Sequence, residues 1–314
     1  MVDFDRGTVT IDGSEYELLD KNFPTVCRKD PLSLTDAENE LMSVLENSFM
    51  HSERLNSHIR FLYSKGSMYK TINGNLLFHG CIPLDENGQL QSVNIAGTDY
   101  SGKALLDKLD EIANKAYFMQ PGAEKDYAAD YMWYLWSGAR SPLYGKDKMA
   151  FFERYFLDDK KLHKENYNAY YHFSEQAEVC GWILEMFGLD PERGHIINGH
   201  VPVKIKNGEK PVKAGGKLFV IDGGISKAYQ KATGIAGYTL IYDSHSLNLA
   251  EHKPFVAGES EHTPEIHLVE RLERRANISD TDKGAELLEQ INDLRELLRA
   301  YRSGEIKESG RRVN

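Results

Sequence analysis

Two short apolar segments, each ending in a histidine beside a glycine, constrain the fold of this chain most strongly. Residues 75–80 read Asn-Leu-Leu-Phe-His-Gly, and residues 195–200 read His-Ile-Ile-Asn-Gly-His. Short apolar runs without polar alternation are typical of strands that are buried on both faces. Such strands need a covering layer on each side, so we expect a layered α/β or mixed α+β architecture. In folds of this kind, functional residues tend to lie on the loops at the strand ends.

Local turn and capping patterns predict the elements around the first of these segments. An Asp-Gly pair at 12–13 and an Asn-Gly pair at 73–74 each separate two strand-like runs, which predicts two β-hairpins. Thr35 begins a Thr-Asp-Ala-Glu sequence, the pattern of a helix capping box. The helical pair that follows is expected to end at Gly66 in the left-handed conformation.

The rest of the chain divides into a helical and a second strand-rich part. Trp133 and Trp136 lie in the helical part, and we expect them in the core. A stripe from Leu287 to Tyr301 at i, i+4, i+7 spacing predicts a long C-terminal helix. The predicted segments are a hairpin, helical pair and His-Gly strand at 1–102, a helical insertion at 103–194, a sheet at 195–256, C-terminal helices at 257–304 and a flexible tail at 305–314.

Composition narrows the class of function. The 314 residues include 38 Lys and Arg against 48 Asp and Glu, a net charge of −10. This balance argues against a broad nucleic-acid interface, which needs clustered positive charge. The N-terminus lacks a signal-peptide pattern, and no apolar run is long enough to span a bilayer. Three widely spaced cysteines, Cys27, Cys81 and Cys180, favour a reducing compartment. We therefore expect a cytoplasmic protein with no membrane or nucleic-acid partner.

The histidines at the two strand ends are the leading candidates for chemistry. If the strands are neighbours, His79 and His200 can ligate one metal ion, and imidazole suits Mn, Fe, Zn or Ni. The alternative is that each is a hydrogen-bonded core histidine, and spacing alone favours it because 121 positions separate the two. His195 is expected to be structural. Cys81 is discounted as a nucleophile, since adjacent positions of a strand point to opposite faces.

Basic residues and one glycine-rich loop are candidates for binding a phosphate. Residues 222–224, Asp-Gly-Gly, form either a nest of backbone amides for an anion or a tight strand-exit turn. Arginine grips a phosphate through two parallel hydrogen bonds, whereas lysine acts as a point charge. The candidates are Arg140, Arg154, Lys204 and Lys227, and the alternative for each is an ordinary solvated surface charge.

Four segments carry a resemblance to a known family. They are the opening hairpin with NFPTV (22–26), KGSMYKTINGNLLFHGCIPLDENG (65–88), WYLWSGARSPLYGKDKMAFFERYF (133–156) and GHIINGHVPVKIKNGEKPVKAGGKLFVIDGGISKAYQKATGIAGYTLIYDS (194–244). These segments are similar to class III, Firmicutes-type fructose-1,6-bisphosphatases of the calcineurin-like metallophosphoesterase superfamily. The resemblance covers essentially the whole chain, but only the C-terminal half of the family. It implies the C-terminal half of a metallophosphoesterase αββα sandwich with helical insertions.

The resemblance also implies an activity and a set of roles. Family members hydrolyse fructose 1,6-bisphosphate to fructose 6-phosphate and phosphate in gluconeogenesis, with a binuclear Mn²⁺ site. By resemblance, His79 and His200 are metal ligands in the His-Gly and Gly-His boxes. Arg140 lies in a segment similar to a substrate loop, and it is the best candidate for gripping phosphate, with Lys204 and Lys227 as lesser ones. The boxes Asp-x-His, Gly-Asp-x-x-Asp-Arg-Gly and Gly-Asn-His do not occur in proper form. The metal site is therefore expected to be incomplete, and no catalytic residue is assigned.

We expect the isolated chain to be inactive, because two histidines cannot hold two metal ions. Two alternatives stay open. One is a non-catalytic or complementing subunit, or a vestigial fragment, whose N-terminal half is a separate chain. The other is a metallophosphatase that acts on a different phosphomonoester. The expected partners are fructose 1,6-bisphosphate, a separately encoded N-terminal half and further copies of this chain in a homo-oligomer.

Overall fold

The computed structural model describes residues 2–224, 226–234, 237–253 and 263–307. The chain divides into two compact units, and each unit is assembled from two stretches of sequence. The first unit comprises Met1–Met68 and Gly80–His172, and the second comprises Tyr69–His79 and Phe173–Asn314. Helices and strands occur in both units, which confirms the α/β class.

The elements of the described residues are short strands and mostly longer helices. The strands are β1 (Val2–Asp3), β2 (Thr8–Ile11), β3 (Ser14–Glu17), β4 (Tyr69–Ile72), β5 (Asn75–Phe78), β6 (Val93–Ile95), β7 (Thr98–Tyr100), β8 (Ile196–Asn198), β9 (Val212–Lys213), β10 (Leu218–Val220), β11 (Gly237–Tyr242), β12 (Ser246–His252) and β13 (Glu265–Arg271). The helices are α1 (Asp36–Met50), α2 (Glu53–Lys65), α3 (Gly102–Phe118), α4 (Ala123–Ser137), α5 (Phe151–Phe156), α6 (Tyr170–Phe173), α7 (Ala177–Met186), α8 (Lys227–Thr233) and α9 (Asp282–Ser303).

A small antiparallel sheet opens the first unit, with the strand order β1-β2-β3. The predicted Asp-Gly hairpin turn is confirmed, with φ of 49° at Asp12 and 78° at Gly13. Positive φ at both positions matches the right-handed twist of the two flanking strands. Val9 and Leu18 pack with Leu157 to give this sheet its own small core.

Helix α3 supplies the main buried face of the first unit, and it packs against α4. The buried leucine and isoleucine side chains of α3 share one face of the helix, and they are Leu105, Leu106, Leu109 and Ile112. On α4 the buried positions are Ala128 and Leu135, which are seven residues apart and share one face. Trp133 and Trp136 are 67% and 54% exposed, so the prediction that they lie in the core is wrong. Ala128 and Leu135, which are smaller than tryptophan, occupy the buried face of α4.

The capping box at the start of α1 is confirmed. The Thr35 side chain accepts a hydrogen bond from the Glu38 amide, and the Glu38 carboxylate accepts one from the Thr35 amide. The prediction of a left-handed end to α2 at Gly66 is wrong, because Gly66 has φ −81° and ψ 165°. A Cβ at Gly66 would lie 2.6 Å from the Leu62 carbonyl oxygen. Glycine is therefore needed here for close approach and not for positive φ.

The central sheet of the second unit has five strands in the order β4-β5-β8-β10-β9. Strands β5, β8 and β10 are parallel to one another, while β4 and β9 pair antiparallel at the two edges. The Asn-Gly hairpin between β4 and β5 is confirmed, with φ of 48° at Asn73 and 78° at Gly74. All residues of β8 and β10 are buried, as expected for strands covered on both faces.

A second, antiparallel sheet in this unit has the order β11-β12-β13. Strands β11 and β12 form a hairpin, with pairing from Gly237–His252 to Tyr242–Leu247. The expectation of helices throughout 257–304 is wrong for residues 265–271, which form β13 on β12. Residues 254–262 of the predicted segments lie outside the described residues.

The predicted C-terminal helix is confirmed as α9. The Thr281 hydroxyl accepts a hydrogen bond from the Gly284 amide at its start, and Gly304 ends it with φ of 79°. Two hydrogen bonds join the start of α9 to the β4–β5 turn, from the Asn73 amide to the Asp282 carboxylate and from the Asp282 amide to the Asn73 side chain. The apolar stripe from Leu287 to Tyr301 is exposed along its length.

Within the described ranges, no helix combines the length and the apolar character that a membrane span requires. The boundaries of the other predicted segments and the half of an αββα sandwich stay predictions. Residues 308–314 of the predicted flexible tail lie outside the described residues.

Candidate metal centre

Three parallel strands of the central sheet end at one edge, and each delivers a polar residue there. His79 follows β5, His200 follows β8 by two residues, and Asp222 follows β10 by two residues. The carboxyl edge of such a sheet is the usual place for a binding site in α/β proteins. The backbone ties the three exits together: the Gly199 amide donates to the His79 carbonyl at 3.0 Å, and the Ile221 amide donates to the Asn198 carbonyl at 2.9 Å.

The two predicted histidine ligands meet at this edge. Nε2 of His79 lies 3.1 Å from Nδ1 of His200, and the ring centroids are 4.9 Å apart at 70°. Two imidazole nitrogens that share one ion at metal–nitrogen distances near 2.1 Å are separated by about 3.0–3.4 Å. The observed separation therefore fits two neighbouring positions of one coordination sphere. It equally fits a hydrogen bond between two neutral rings.

The backbone around His200 has an unusual conformation. His200 has φ of 67°, in the left-handed region that non-glycine residues rarely adopt. Such a conformation costs about 1–2 kcal/mol for an L-residue. The preceding Gly199 lies close to the third strand exit, since a Cβ there would make an ordinary contact at 3.5 Å with the Cβ of Asp222. The strained residue at the strand end is consistent with a positioned side chain.

The surroundings of His79 favour the neutral form of its imidazole. Burial is the main cause that lowers the pKa of His79, and the neighbouring His200 lowers it further. The Asp222 carboxylate opposes this shift and raises the pKa of His79. A neutral imidazole is the form that binds a metal ion. The sequence did not predict a role for Asp222 beside the two histidines. Its position after the third buried strand is the pattern that indicates such a role.

Two ligands are fewer than a metal site normally has. In the part of the chain that the structure describes, no group of three or more His, Cys, Asp or Glu side chains is placed to hold a metal ion. Structural and catalytic metal sites use three or four protein ligands. The histidine pair by itself supplies fewer ligands than such a site uses, and the completeness of the metal site stays a prediction.

The predicted phosphate-binding residues are each described by their own local contacts. Arg140 is exposed in the first unit, has φ of 65°, and donates from Nη1 to the Ser92 carbonyl at 3.3 Å. Arg154, also in the first unit, pairs with Glu165 at 3.1 Å. Lys204 is exposed, and its backbone amide donates to Glu209. The side chain of Lys227 lies outside the described residues.

The loop after β10 favours the tight strand-exit turn over an anion nest. The Gly224 amide donates to Oδ1 of Asp222 at 2.8 Å, so the Asp222 side chain closes the turn. The Asp222 carbonyl in turn accepts from the Val203 amide. Residue 225 of this loop lies outside the described residues.

Two other residues weighed for chemistry have structural surroundings. His195, at the opposite end of β8, is buried between Oδ1 of Asn75 at 2.9 Å and Oε2 of Glu270 at 2.8 Å. Burial lowers its pKa, and Glu270 opposes that shift. Cys81 is buried, and burial raises the pKa of its thiol, which disfavours the nucleophilic thiolate.

The comparison with known proteins decides the family. The sequence profile described as Firmicute fructose-1,6-bisphosphatase matches residues 1–303. The chain belongs to this family. The fructose-1,6-bisphosphatase class 3 of Clostridium botulinum strain Alaska E43 is 52% identical over 314 residues, which covers 98% of this chain and 48% of that protein. Proteins of the same name from Bacteroides fragilis and Clostridium acetobutylicum are 52% and 50% identical.

The chain spans about half the length of these curated relatives, 47% in both Bacteroides fragilis and Clostridium acetobutylicum. No solved structure matches it.

Proposed function

We propose that this chain forms part of a class 3 fructose-1,6-bisphosphatase and contributes His79 and His200 to a Mn²⁺ site. The observation that carries the proposal is the 3.1 Å approach of Nε2 and Nδ1 at the carboxyl edge of the parallel sheet. Family membership supplies the reaction class, the hydrolysis of a phosphate ester. The 121 positions between the two histidines gave no reason for the rings to meet, so their approach is geometric support for the metal ligation that the resemblance implies.

The proposed roles of this chain are binding and orientation. A divalent ion held here would supply positive charge to a phosphoryl group and acidify water. The hydrogen bond between the exits of β5 and β8 keeps the two imidazoles at one spacing. Asp222 contributes negative charge beside His79, which favours a bound cation. Arg140 is the proposed phosphate-gripping residue, with Lys204 and Lys227 as lesser candidates.

A direct test is calorimetric titration of the chain with Mn²⁺. We expect His79→Ala and His200→Ala each to weaken binding by about tenfold or more, as ligand losses do. The matched control is His58→Ala, which removes an exposed histidine of α2. Equal Mn²⁺ affinity in all four proteins would show that the pair is a hydrogen-bonded structural feature.

We further propose that the 314-residue chain alone has no phosphatase activity. Two histidines do not complete a binuclear site, and the described residues hold no third ligand beside them. The test is phosphate release from fructose 1,6-bisphosphate with Mn²⁺, measured beside a full-length relative under the same conditions. Turnover comparable with that of the relative would contradict the proposal.

A complementing subunit, whose N-terminal half is a separate chain, is the second candidate function. The test is co-expression of this chain with the remaining half of a relative, followed by the same phosphatase assay. Restored activity that is lost in His79→Ala supports complementation. Restored hydrolysis of another phosphomonoester, without hydrolysis of fructose 1,6-bisphosphate, would indicate a metallophosphatase with a different substrate.

A further inference from the structure

A basic pocket lies between the β11–β12 turn and the segment that follows β13. Its volume is about 420 Å³. Cavities of this size suit a small metabolite. Arginines supply most of its charged lining, which includes Arg271, Arg274, Arg275 and Glu273 beside His245.

The frame of this pocket is fixed by backbone hydrogen bonds. The Leu272 amide donates to the His245 carbonyl, and the Ala276 amide donates to the Ser244 carbonyl, both at 2.8 Å. The Asp243 carboxylate accepts from the amides of His245 and Ser246, which closes the turn on the other side. The walls of the pocket are therefore held before any ligand arrives.

The arginines of the pocket differ in their partners. Arg274 forms a two-pronged ion pair with Asp280, with distances of 2.7 and 3.0 Å. In the described part of the chain, the guanidinium groups of Arg271 and Arg275 have no carboxylate partner within 4.0 Å. Two cations without carboxylate partners that line one concave surface favour the binding of an anion there.

The net charge of this pocket is positive, whereas that of the whole chain is negative. The chain carries a net charge of −10, whereas the pocket lining has three arginines and one glutamate. Asp280 offsets Arg274, and Asp243 already accepts hydrogen bonds from its own turn. Glu273 offsets one further charge of the lining, so the net positive charge that remains comes from Arg271 and Arg275. Guanidinium groups match the oxygen geometry of phosphate.

We propose that this pocket binds a small phosphomonoester dianion through Arg271 and Arg275. Neither histidine of the candidate metal centre lines it, so the inference does not rest on the proposed function. The concave shape and small volume favour a metabolite over an acidic peptide segment, which would need an extended groove.

The experiment is calorimetric titration of the full chain with glycerol 2-phosphate in EDTA, so that no metal ion contributes. We expect saturable binding, and a loss of at least about tenfold in affinity in the Arg271→Gln, Arg275→Gln double variant. Arg274 is kept because its pair with Asp280 shapes the segment. The matched control is Arg295→Gln with Arg302→Gln on α9, which changes the net charge equally and should bind like the wild type.

Three results would overturn the proposal. They are no saturable binding up to about 10 mM, equal affinity in the Arg271 and Arg275 double variant, and binding of a hexaglutamate peptide in preference to the phosphomonoester. A His79→Ala, His200→Ala protein should retain wild-type affinity for glycerol 2-phosphate. That variant separates a failure of the pocket from a failure of the metal centre.

Discussion

Strand β10 and helix α9 belong to the same unit and carry similar apolar residues, but their surroundings differ. Leu218, Phe219 and Val220 of β10 are buried, whereas Leu294 of α9 is 64% exposed. The other apolar residues of the α9 stripe are also exposed. The strand lies between two hydrogen-bonded neighbours, while the helix is joined to the rest of the unit at its first residues.

The difference shows how far each sequence pattern predicts burial. A short apolar run without polar alternation requires cover on both faces, so it predicts burial directly. A helical stripe fixes which face is apolar, but it does not say what covers that face. The energetic importance of a leucine therefore differs between the two elements, although the residue is the same.

The largest effect is expected from truncating a leucine in each element. Leu218→Ala should lower the free energy of unfolding by about 2–5 kcal/mol, because it removes a buried side chain and leaves a cavity. Leu294→Ala should change it by less than about 0.5 kcal/mol. Urea unfolding followed by far-UV circular dichroism measures both. A loss for Leu294→Ala as large as that for Leu218→Ala would mean that the stripe is covered.

The two glycines that flank β8 differ in how much room they leave for a side chain. A Cβ on Gly194 would lie 2.7 Å from the Asp190 carbonyl oxygen and 2.8 Å from that of Gly74. Gly194→Ala should therefore cost about 1–3 kcal/mol through forced backbone shifts. Gly199→Ala is the control, since its Cβ would make an ordinary contact at 3.5 Å from Asp222. Thermal unfolding of both variants tests the ranking, which fails if Gly199→Ala is the worse of the two.

The start of α9 should respond to loss of its cap. Thr281→Ala removes the acceptor for the Gly284 amide and should cost about 1 kcal/mol. Thr281→Ser is the matched control, because serine keeps the hydroxyl acceptor. Hydrogen exchange of the first-turn amides reports the local loss. Unchanged exchange in Thr281→Ala would show that the Asn73–Asp282 hydrogen bonds are sufficient to hold this end.

The smallest effect concerns pH and the buried His195. Burial lowers the pKa of His195 in the folded state, so the unfolded chain binds more protons below the ordinary histidine value. Stability is therefore complete above that value and declines as the pH falls through about 6.5 towards the folded pKa. His195→Gln removes the titrating ring, and we expect a shallower decline between about pH 7.5 and pH 5.5. Identical slopes for wild type and variant, measured by urea unfolding, would exclude this contribution.

Local chemistry explains which elements the sequence could predict. The turns at 12–13 and 73–74 and the cap at Thr35 depend on residues within four positions of one another. Strand β13 was missed because its strand state depends on pairing with β12, far from its own residues. Ile266 and Leu268 of β13 are both exposed, so its apolar residues gave no buried pattern.

In the candidate site, too, local sequence predicts single residues but not their approach in space. Each histidine could be found from the strand that precedes it, but their 3.1 Å approach depends on parallel pairing between β5 and β8. Asp222 reaches the same edge because β10 pairs parallel with β8. That pairing is not encoded in any local turn pattern. The prediction that Trp133 and Trp136 lie in the core is wrong because apolar character alone does not determine burial; the face of α4 on which a residue lies determines it.

The burial of two of the three cysteines has a practical consequence. All three thiols are free; Cys27 is exposed, and Cys81 and Cys180 are buried. Burial raises the pKa of Cys180 to about 12 and also raises that of Cys81, so neither supplies thiolate near neutral pH. An alkylating reagent should then label one position in the folded protein and three in the unfolded chain. The mass of the labelled protein thus counts folded molecules directly, and Cys27 offers a single attachment point for a fluorophore.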